Sequence, residues 1–154
     1  MNADEKYILL AEDDPYVAEL VLHVLQRGPN PPHVVHVKDG VDALDFLHAR
    51  GMYAQRTHGP PAVVLLDVKM PRLDGLELLR ELKADPLYRT LPVVMLTSSQ
   101  DERDIATAYD LGANAYVVKP LEFPRLVEVL AALQRFWLEV NQPRPVTVPA
   151  AATP

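Results

Sequence analysis

The sequence contains no cysteine, no long hydrophobic segment and no cluster of basic residues. Without cysteine there is no disulfide framework, no thiolate metal site and no cysteine nucleophile. The net charge of -6 predicts neither a nucleic-acid partner nor attachment to an anionic membrane surface. Residues 1–6 are charged and precede only a short apolar run, which is unlike a secretory signal or a membrane anchor. A cytoplasmic location follows by elimination.

The distribution of apolar residues predicts one globular domain. Of the 154 residues, 49% are hydrophobic, which suits a single substantial core. Five short apolar runs alternate with five segments in which apolar residues recur at helical spacing. Each crossover is long enough for one helix, so the pattern predicts a doubly wound α/β fold with a parallel sheet. We expect the domain to cover residues 6–140 and the proline-rich residues 141–154 to form an extended tail.

The central feature of the sequence is residues 63–66, a short run of apolar residues that ends on Asp67. This composition is typical of a strand that is buried on both faces of a parallel sheet. In an open parallel sheet the ligand crevice lies at the carboxyl ends of the strands, so a carboxylate at this position meets solvent and ligands. Taken alone, Asp67 could equally cap a turn or the next helix, because Asp is common in turns.

Polar residues also stand at the predicted ends of other strands. Asp13 and Asp14 follow the first strand, Thr97 ends the fourth, and Lys119 follows the fifth. Carboxylates that share one crevice repel one another unless a cation lies among them, and Mg²⁺ suits such a site because it commonly bridges carboxylates and phosphate. Lysine and hydroxyl groups bind phosphoryl oxygens. The set indicates phosphoryl transfer to a carboxylate, with Asp67 as the nucleophile and the Asp13–Asp14 pair as metal ligands.

Together with Met70-Pro71 and Asp74-Gly75, these residues resemble the receiver domain of bacterial two-component response regulators over residues 6–138. The resemblance implies a CheY-like sheet of strand order 2-1-3-4-5 that takes phosphate from a histidine kinase. It implies the following site: Asp67 as phosphoacceptor; Asp13, Asp14, Asp67 and the backbone carbonyl of Lys69 around Mg²⁺; Lys119 paired with the phosphoryl group; Thr97 and Tyr116 as switch residues; and Pro120 as a candidate for a cis peptide bond. The switch would alter the face formed by the fourth helix, the fifth strand and the fifth helix.

The predicted last helix, residues 123–140, is apolar over about half of its surface or more, which is wider than packing on the sheet requires. A self-complementary contact through this helix and the fifth strand would bury the excess, so we predict a two-fold dimer. The alternative is that the chain's own tail folds back over Phe136 and Trp137. The residues expected in the dimer interface are Phe123, Val129, Phe136 and Trp137.

Residues 136–139 and the proline-rich sequence after them also resemble the end of the single-domain regulators that are paired with bacterial phytochrome kinases. This narrower resemblance implies a light-regulated kinase as partner and a dimer through the last helix.

Three other functions are compatible with parts of the pattern. A phosphatase with an aspartyl-phosphate intermediate would need a general acid or base beside the nucleophile, and Lys69 cannot readily serve. A flavin- or nucleotide-binding module is disfavoured because no Gly-rich turn follows the first strand. A phosphate-independent interaction scaffold of the same fold is also disfavoured, because it would not need Asp67 or the Asp13–Asp14 pair. We therefore predict a phosphorylated signalling protein rather than an enzyme.

Overall fold

Five strands and five helices alternate along the chain in the computed structural model, which describes residues 5–145. The strands are β1 (Tyr7–Ala11), β2 (His33–Val37), β3 (Val63–Leu66), β4 (Val93–Thr97) and β5 (Ala115–Val118). The helices are α1 (Pro15–Leu25), α2 (Gly40–Leu47), α3 (Gly75–Ala84), α4 (Glu102–Asp110) and α5 (Phe123–Gln134). All strand pairs are parallel, in the order β2-β1-β3-β4-β5. The predicted fold and the strand order implied by the family resemblance are confirmed.

The two faces of the sheet carry separate hydrophobic clusters, because side chains alternate between the faces along each strand. In β1, Leu9 packs in the cluster that includes residues of α2 and α3, whereas Ile8 and Leu10 pack in the cluster that includes residues of α1 and α5. The central strand β3 is buried along its whole length, as its uninterrupted apolar sequence predicted. Among residues 5–145, no helix combines the length and the apolar character needed to cross a membrane.

Aspartate side chains fix where most of the helices begin. Each of these carboxylates accepts hydrogen bonds from backbone N–H groups in the first turn of its helix, which have no partner within the helix itself. The N-cap residues of α1 to α4 are Asp14, Asp39, Asp74 and Asp101. These four starts lie on the side of the sheet where the strands end, so the caps also position the loops around the crevice.

The last helix differs from the prediction at its C-terminal end. α5 continues into a π-helix over Arg135–Val140, in which the amide of Asn141 donates to the carbonyl of Phe136 at 2.7 Å. A π-turn contains more residues than an α-turn, so it rotates the side chains that follow it. Trp137 and Leu138 therefore both pack beside the α1–α5 cluster, whereas Val140 is 56% exposed.

The residues predicted for a dimer interface occupy different environments. Phe123 and Phe136 are exposed, the latter by 47%, while Val129 and Trp137 are half-buried. Regular structure ends at Val140, and residues 141–145 form no helix or strand. The rest of the predicted tail, residues 146–154, lies outside the described residues, as do residues 1–4.

Candidate functional site

The ends of β1 and β3 lie side by side at the carboxyl edge of the sheet. Their pairing continues beyond the strands, because the amide of Asp67 donates to the carbonyl of Ala11 at 3.1 Å. On the other side of β1, the amide of Glu12 donates to the carbonyl of Val37, also at 3.1 Å. These hydrogen bonds fix Glu12 and Asp67 as the first residues beyond the two central strands, where the crevice of a parallel sheet opens.

Three carboxylates meet at this edge. Glu12, Asp13 and Asp67 each offer an oxygen, and these oxygens lie within 4.8 Å of one another. Glu12 is 3% exposed and Asp67 is 9% exposed, whereas Asp13 faces solvent. Negative charges at this separation in a partly buried place repel one another strongly, so the cluster favours a neighbouring cation.

Lys119 supplies one positive charge to the cluster. Its ammonium nitrogen lies 2.6 Å from Oε2 of Glu12 and 3.2 Å from Oδ2 of Asp67. The backbone amide of Lys119 donates to the carbonyl of Thr97 at 2.8 Å, which holds the end of β5 beside β4. Burial, together with the charge of Asp67, outweighs the hydrogen bond from Lys119 and raises the pKa of Glu12 to about 7.

The metal pair predicted from the sequence needs a correction, because the structure places Glu12, and not Asp14, with Asp13 and Asp67. The Asp14 side chain caps α1 and accepts from the amides of Tyr16 at 2.9 Å and Val17 at 3.3 Å. Oδ1 of Asp14 is thus occupied at the start of α1, and Asp14 is not among the three acids whose oxygens lie together. The sequence contained one signal for this arrangement, since a proline at the first helical position makes the residue before it, Asp14, the N-cap.

The backbone around Asp67 is packed too tightly for a side chain at Gly75. Asp67 Oδ1 accepts from the amide of Val68 at 2.8 Å, and the carbonyl of Val68 accepts from the amide of Gly75 at 2.7 Å. A Cβ atom at Gly75 would lie 1.9 Å from the carbonyl oxygen of Asp67. The predicted Asp74-Gly75 start of α3 thus packs directly against the peptide that joins Asp67 to Val68.

An arginine fixes the loop between β3 and α3. Arg72, which has a φ of 65°, donates two hydrogen bonds to the carboxylate of Asp39 at 2.8 and 3.0 Å and one to Asp42 at 2.9 Å. Burial alone would raise the pKa of Asp39, but the hydrogen bonds from Arg72 and from backbone amides hold that pKa below its usual range. Lys69 lies in the same loop with its side chain exposed, and the role of its carbonyl as a metal ligand stays a prediction.

The two predicted switch residues converge on the loop after β4. Thr97 is 2% exposed, and its hydroxyl oxygen accepts from the amide of Ser99 at 3.2 Å. Tyr116 is half-buried on β5, and its hydroxyl donates to the carbonyl of Ser99 at 3.0 Å. Both side chains are therefore bonded to Ser99 rather than to the carboxylate cluster.

The expectation of a cis peptide bond at Pro120 was wrong. No peptide bond within residues 5–145 is cis, so the bond between Lys119 and Pro120 is trans. The trans form of a bond before proline is intrinsically favoured by about 0.5–1 kcal/mol. In this form the Lys119 side chain already reaches Glu12 and Asp67.

Comparison with known proteins identifies a family and similar solved structures. The family described as response regulator receiver domain matches residues 8–131. Response regulator Rcp1 of Synechocystis sp. is 36% identical over 146 residues, which are 95% of each chain. A crystal structure of the Mn²⁺-bound form of Rcp1 covers 91% of this chain and 99% of that one, with 34% identity and a TM-score of 0.82.

Two further solved structures are similar over most of the chain. The phosphorylated cyanobacterial phytochrome response regulator RcpA has 35% identity and a TM-score of 0.84, over 92% of this chain and 99% of that one. The bacteriophytochrome response regulator RtBRR has 48% identity and a TM-score of 0.72, over 92% of this chain and 85% of that one. With the family match, the shared fold and the carboxylate cluster at the strand ends, the chain belongs to the response regulator receiver domain family of two-component signalling.

Proposed function

We propose that Asp67 accepts a phosphoryl group from the phosphohistidine of a sensor histidine kinase and that the phosphorylated chain signals through the surface of α4, β5 and α5. The observation that carries this proposal is the position of Asp67 at the end of the central strand, where its carboxylate lies beside Glu12 and Asp13 and within 3.2 Å of the ammonium of Lys119. A carboxylate that lies beside both an ammonium group and a site for a divalent metal ion is suited to attack a dianionic phosphoryl group, because both cations reduce the repulsion between the two anions.

The residues of the chain have separate tasks in the transfer. An oxygen of Asp67 forms a bond to phosphorus while the phosphorus–nitrogen bond of the donor breaks, and the imidazole nitrogen leaves with the electron pair. The amide of Val68 holds Oδ1 of Asp67 at 2.8 Å, which fixes the direction of the carboxylate. Lys119 lies 3.2 Å from Oδ2 and neutralises charge that gathers on the phosphoryl oxygens.

A divalent ion fits the donor set. The three clustered residues offer only carboxylate oxygens, which are the ligands that Mg²⁺ and Mn²⁺ accept, and Mg²⁺ usually keeps waters and binds phosphate as well. We propose Mg²⁺ held by Glu12, Asp13, Asp67 and the carbonyl of Lys69. When bound, the ion would supply positive charge to the phosphoryl oxygens. The Mn²⁺-bound form of the similar protein Rcp1 supports a site of this class.

The partner and the assembly extend the proposal. RcpA and RtBRR are described as phytochrome and bacteriophytochrome response regulators, so we propose a kinase of the phytochrome type for this chain.

We also propose a two-fold dimer through α5 and β5, with Phe123, Val129, Phe136 and Trp137 at the interface. Support comes from the exposure of Phe136 and Val140 at the end of the last helix.

The test of phosphorylation uses the whole chain with Mg²⁺ and acetyl phosphate. We expect intact mass to show one added phosphoryl group that is lost under conditions that hydrolyse acyl phosphates, and peptide mapping to place it on Asp67. Asp67→Asn should take up none, because an amide is not a nucleophile toward phosphorus at neutral pH. A wild-type chain that gains no labile phosphoryl group, or gains it on another residue, would refute the proposal.

Two neighbouring aspartates are expected to respond differently to substitution. Asp13→Asn removes a negative charge from the cluster and should weaken Mg²⁺ or Mn²⁺ binding roughly tenfold or more, with no loss of stability. Asp14→Ala removes the cap of α1 and should lower the free energy of unfolding by about 1 kcal/mol, with little effect on metal binding. Metal titration and urea unfolding of both variants make the comparison. If Asp14→Ala binds metal weakly and keeps its stability, Asp13 and Asp14 are the metal ligands, as the sequence predicted.

A further inference from the structure

Ser99 connects three parts of the molecule, and each of its polar groups has a partner. Its hydroxyl donates to Oδ2 of Asp104 on α4 at 2.6 Å and accepts from the amide of Asp101 at 3.3 Å. Its amide donates to the hydroxyl oxygen of Thr97 at 3.2 Å. Its carbonyl accepts from the hydroxyl of Tyr116 at 3.0 Å. The strongest of these bonds is the one to Asp104, because its acceptor is charged and the distance is short.

The bond to Asp104 restrains Thr97 through Ser99. Thr97 ends β4, which pairs directly with β3, the strand that Asp67 follows, and the Thr97 side chain is buried. For its hydroxyl to reach a phosphoryl group on Asp67, Thr97 must give up the amide of Ser99 or move together with Ser99. Movement of Thr97 together with Ser99 strains or breaks the hydrogen bond that the Ser99 hydroxyl donates to Asp104.

We propose that Asp104 is a positioning residue that slows phosphorylation of Asp67 by holding Ser99, and through it Thr97, in the unphosphorylated arrangement. This inference rests on the proposed phosphorylation of Asp67. Asp104 belongs to α4, one element of the proposed signalling surface, so the same hydrogen bond links the position of Thr97 to that surface. Phosphorylation would then release α4 from the loop after β4.

Rates of phosphorylation by acetyl phosphate with Mg²⁺ test the inference. In this reaction an oxygen of Asp67 bonds to phosphorus, the phosphorus–oxygen bond to acetate breaks, and acetate leaves with the electron pair. We expect Asp104→Ala to be phosphorylated about threefold to tenfold faster than the wild-type chain, a range that corresponds to losing one partly exposed hydrogen bond to a charged group. Ser99→Ala removes the same bond from the other side and should show a similar increase.

Two further variants separate the hydrogen bond from the charge. Asp104→Asn keeps an acceptor oxygen for the Ser99 hydroxyl but loses the negative charge, so its rate should stay near that of the wild-type chain. The double variant Ser99→Ala/Asp104→Ala should be no faster than either single variant, because both substitutions remove one interaction. Equal acceleration by Asp104→Asn and Asp104→Ala would overturn the inference in favour of a simple charge effect.

Amide hydrogen exchange provides a measurement that needs no phosphate. In Asp104→Ala the amides of Ser99 and Asp101 should exchange about threefold faster or more, while the amide of Leu79 in α3 should be unchanged. Faster exchange without faster phosphorylation would overturn the inference and leave the proposed function intact. A wild-type chain that cannot be phosphorylated at all would instead overturn the proposed function, and the inference with it.

Discussion

Gly75→Ala is expected to lower the free energy of unfolding by about 3 kcal/mol or more and to abolish metal binding at the strand ends. The new methyl group would lie 1.9 Å from the carbonyl oxygen and 2.8 Å from the carbonyl carbon of Asp67, and 3.0 Å from the Cα atom of Val68. These are backbone atoms, so no side-chain rotation can relieve the overlap. The start of α3 must move away, which breaks its hydrogen bond to Val68 and displaces the peptide that joins Asp67 to Val68. Urea unfolding and Mn²⁺ titration measure both effects.

The matched control is Gly28→Ala. A Cβ atom at Gly28 meets nothing within 4 Å, so this substitution should change the free energy of unfolding by no more than about 0.5 kcal/mol and leave metal binding as it is. If Gly75→Ala unfolds at the same urea concentration as Gly28→Ala, the close approach of α3 to Asp67 does not exist in solution.

Lys119→Met is expected to change metal binding and phosphorylation in opposite directions. The ammonium of Lys119 contacts one carboxylate oxygen of Glu12 and one of Asp67, two of the residues proposed to bind Mg²⁺. Removing this competing charge should tighten Mg²⁺ binding roughly tenfold. The same substitution removes the cation that we propose to stabilise the phosphoryl oxygens during transfer, so the rate of phosphorylation by acetyl phosphate should fall roughly a hundredfold.

Lys83→Met is the control for this experiment. The ammonium of Lys83 donates to the carbonyl of Leu91 at 2.8 Å, and burial lowers the pKa of Lys83. Lys83 lies near the end of α3, at the edge of the sheet opposite the carboxylate cluster. Its replacement should therefore affect stability alone. Weaker metal binding in Lys119→Met, or an unchanged phosphorylation rate, would contradict the assigned role of Lys119.

The elements of the fold could be predicted because the signals for them are local. Residues 63–66 form an apolar run of strand length, and a helix start is marked by Asp74-Gly75, whose carboxylate caps α3 in the structure. The position of Asp67 at the end of β3 followed from the same reasoning, since the run stops on a carboxylate. Strands and helix starts of this kind can be predicted from a few neighbouring residues alone.

The exact composition of the carboxylate cluster could not be predicted in the same way. Glu12, Asp13 and Asp14 are consecutive acids, and the hydropathy pattern alone allowed any two of them to face the crevice. The choice depends on how far the pairing of β1 with β2 and β3 extends, and that pairing joins residues distant in sequence. A shift of one residue along a strand reverses the direction of a side chain, so a small error at a strand end changes the ligand.

The sequence by itself determined the order of strands and helices along the chain, the carboxylate at the end of the central strand, and the lysine after the last strand. Only the tertiary structure decided that Glu12 joins Asp13 and Asp67 in the cluster, that the ammonium of Lys119 reaches Glu12 and Asp67, and that the hydroxyl of Tyr116 donates to the loop after β4. The physical reason is that the first group of features depends on local hydrophobic periodicity. The second group depends on hydrogen bonds and packing between segments that only the folded chain brings together.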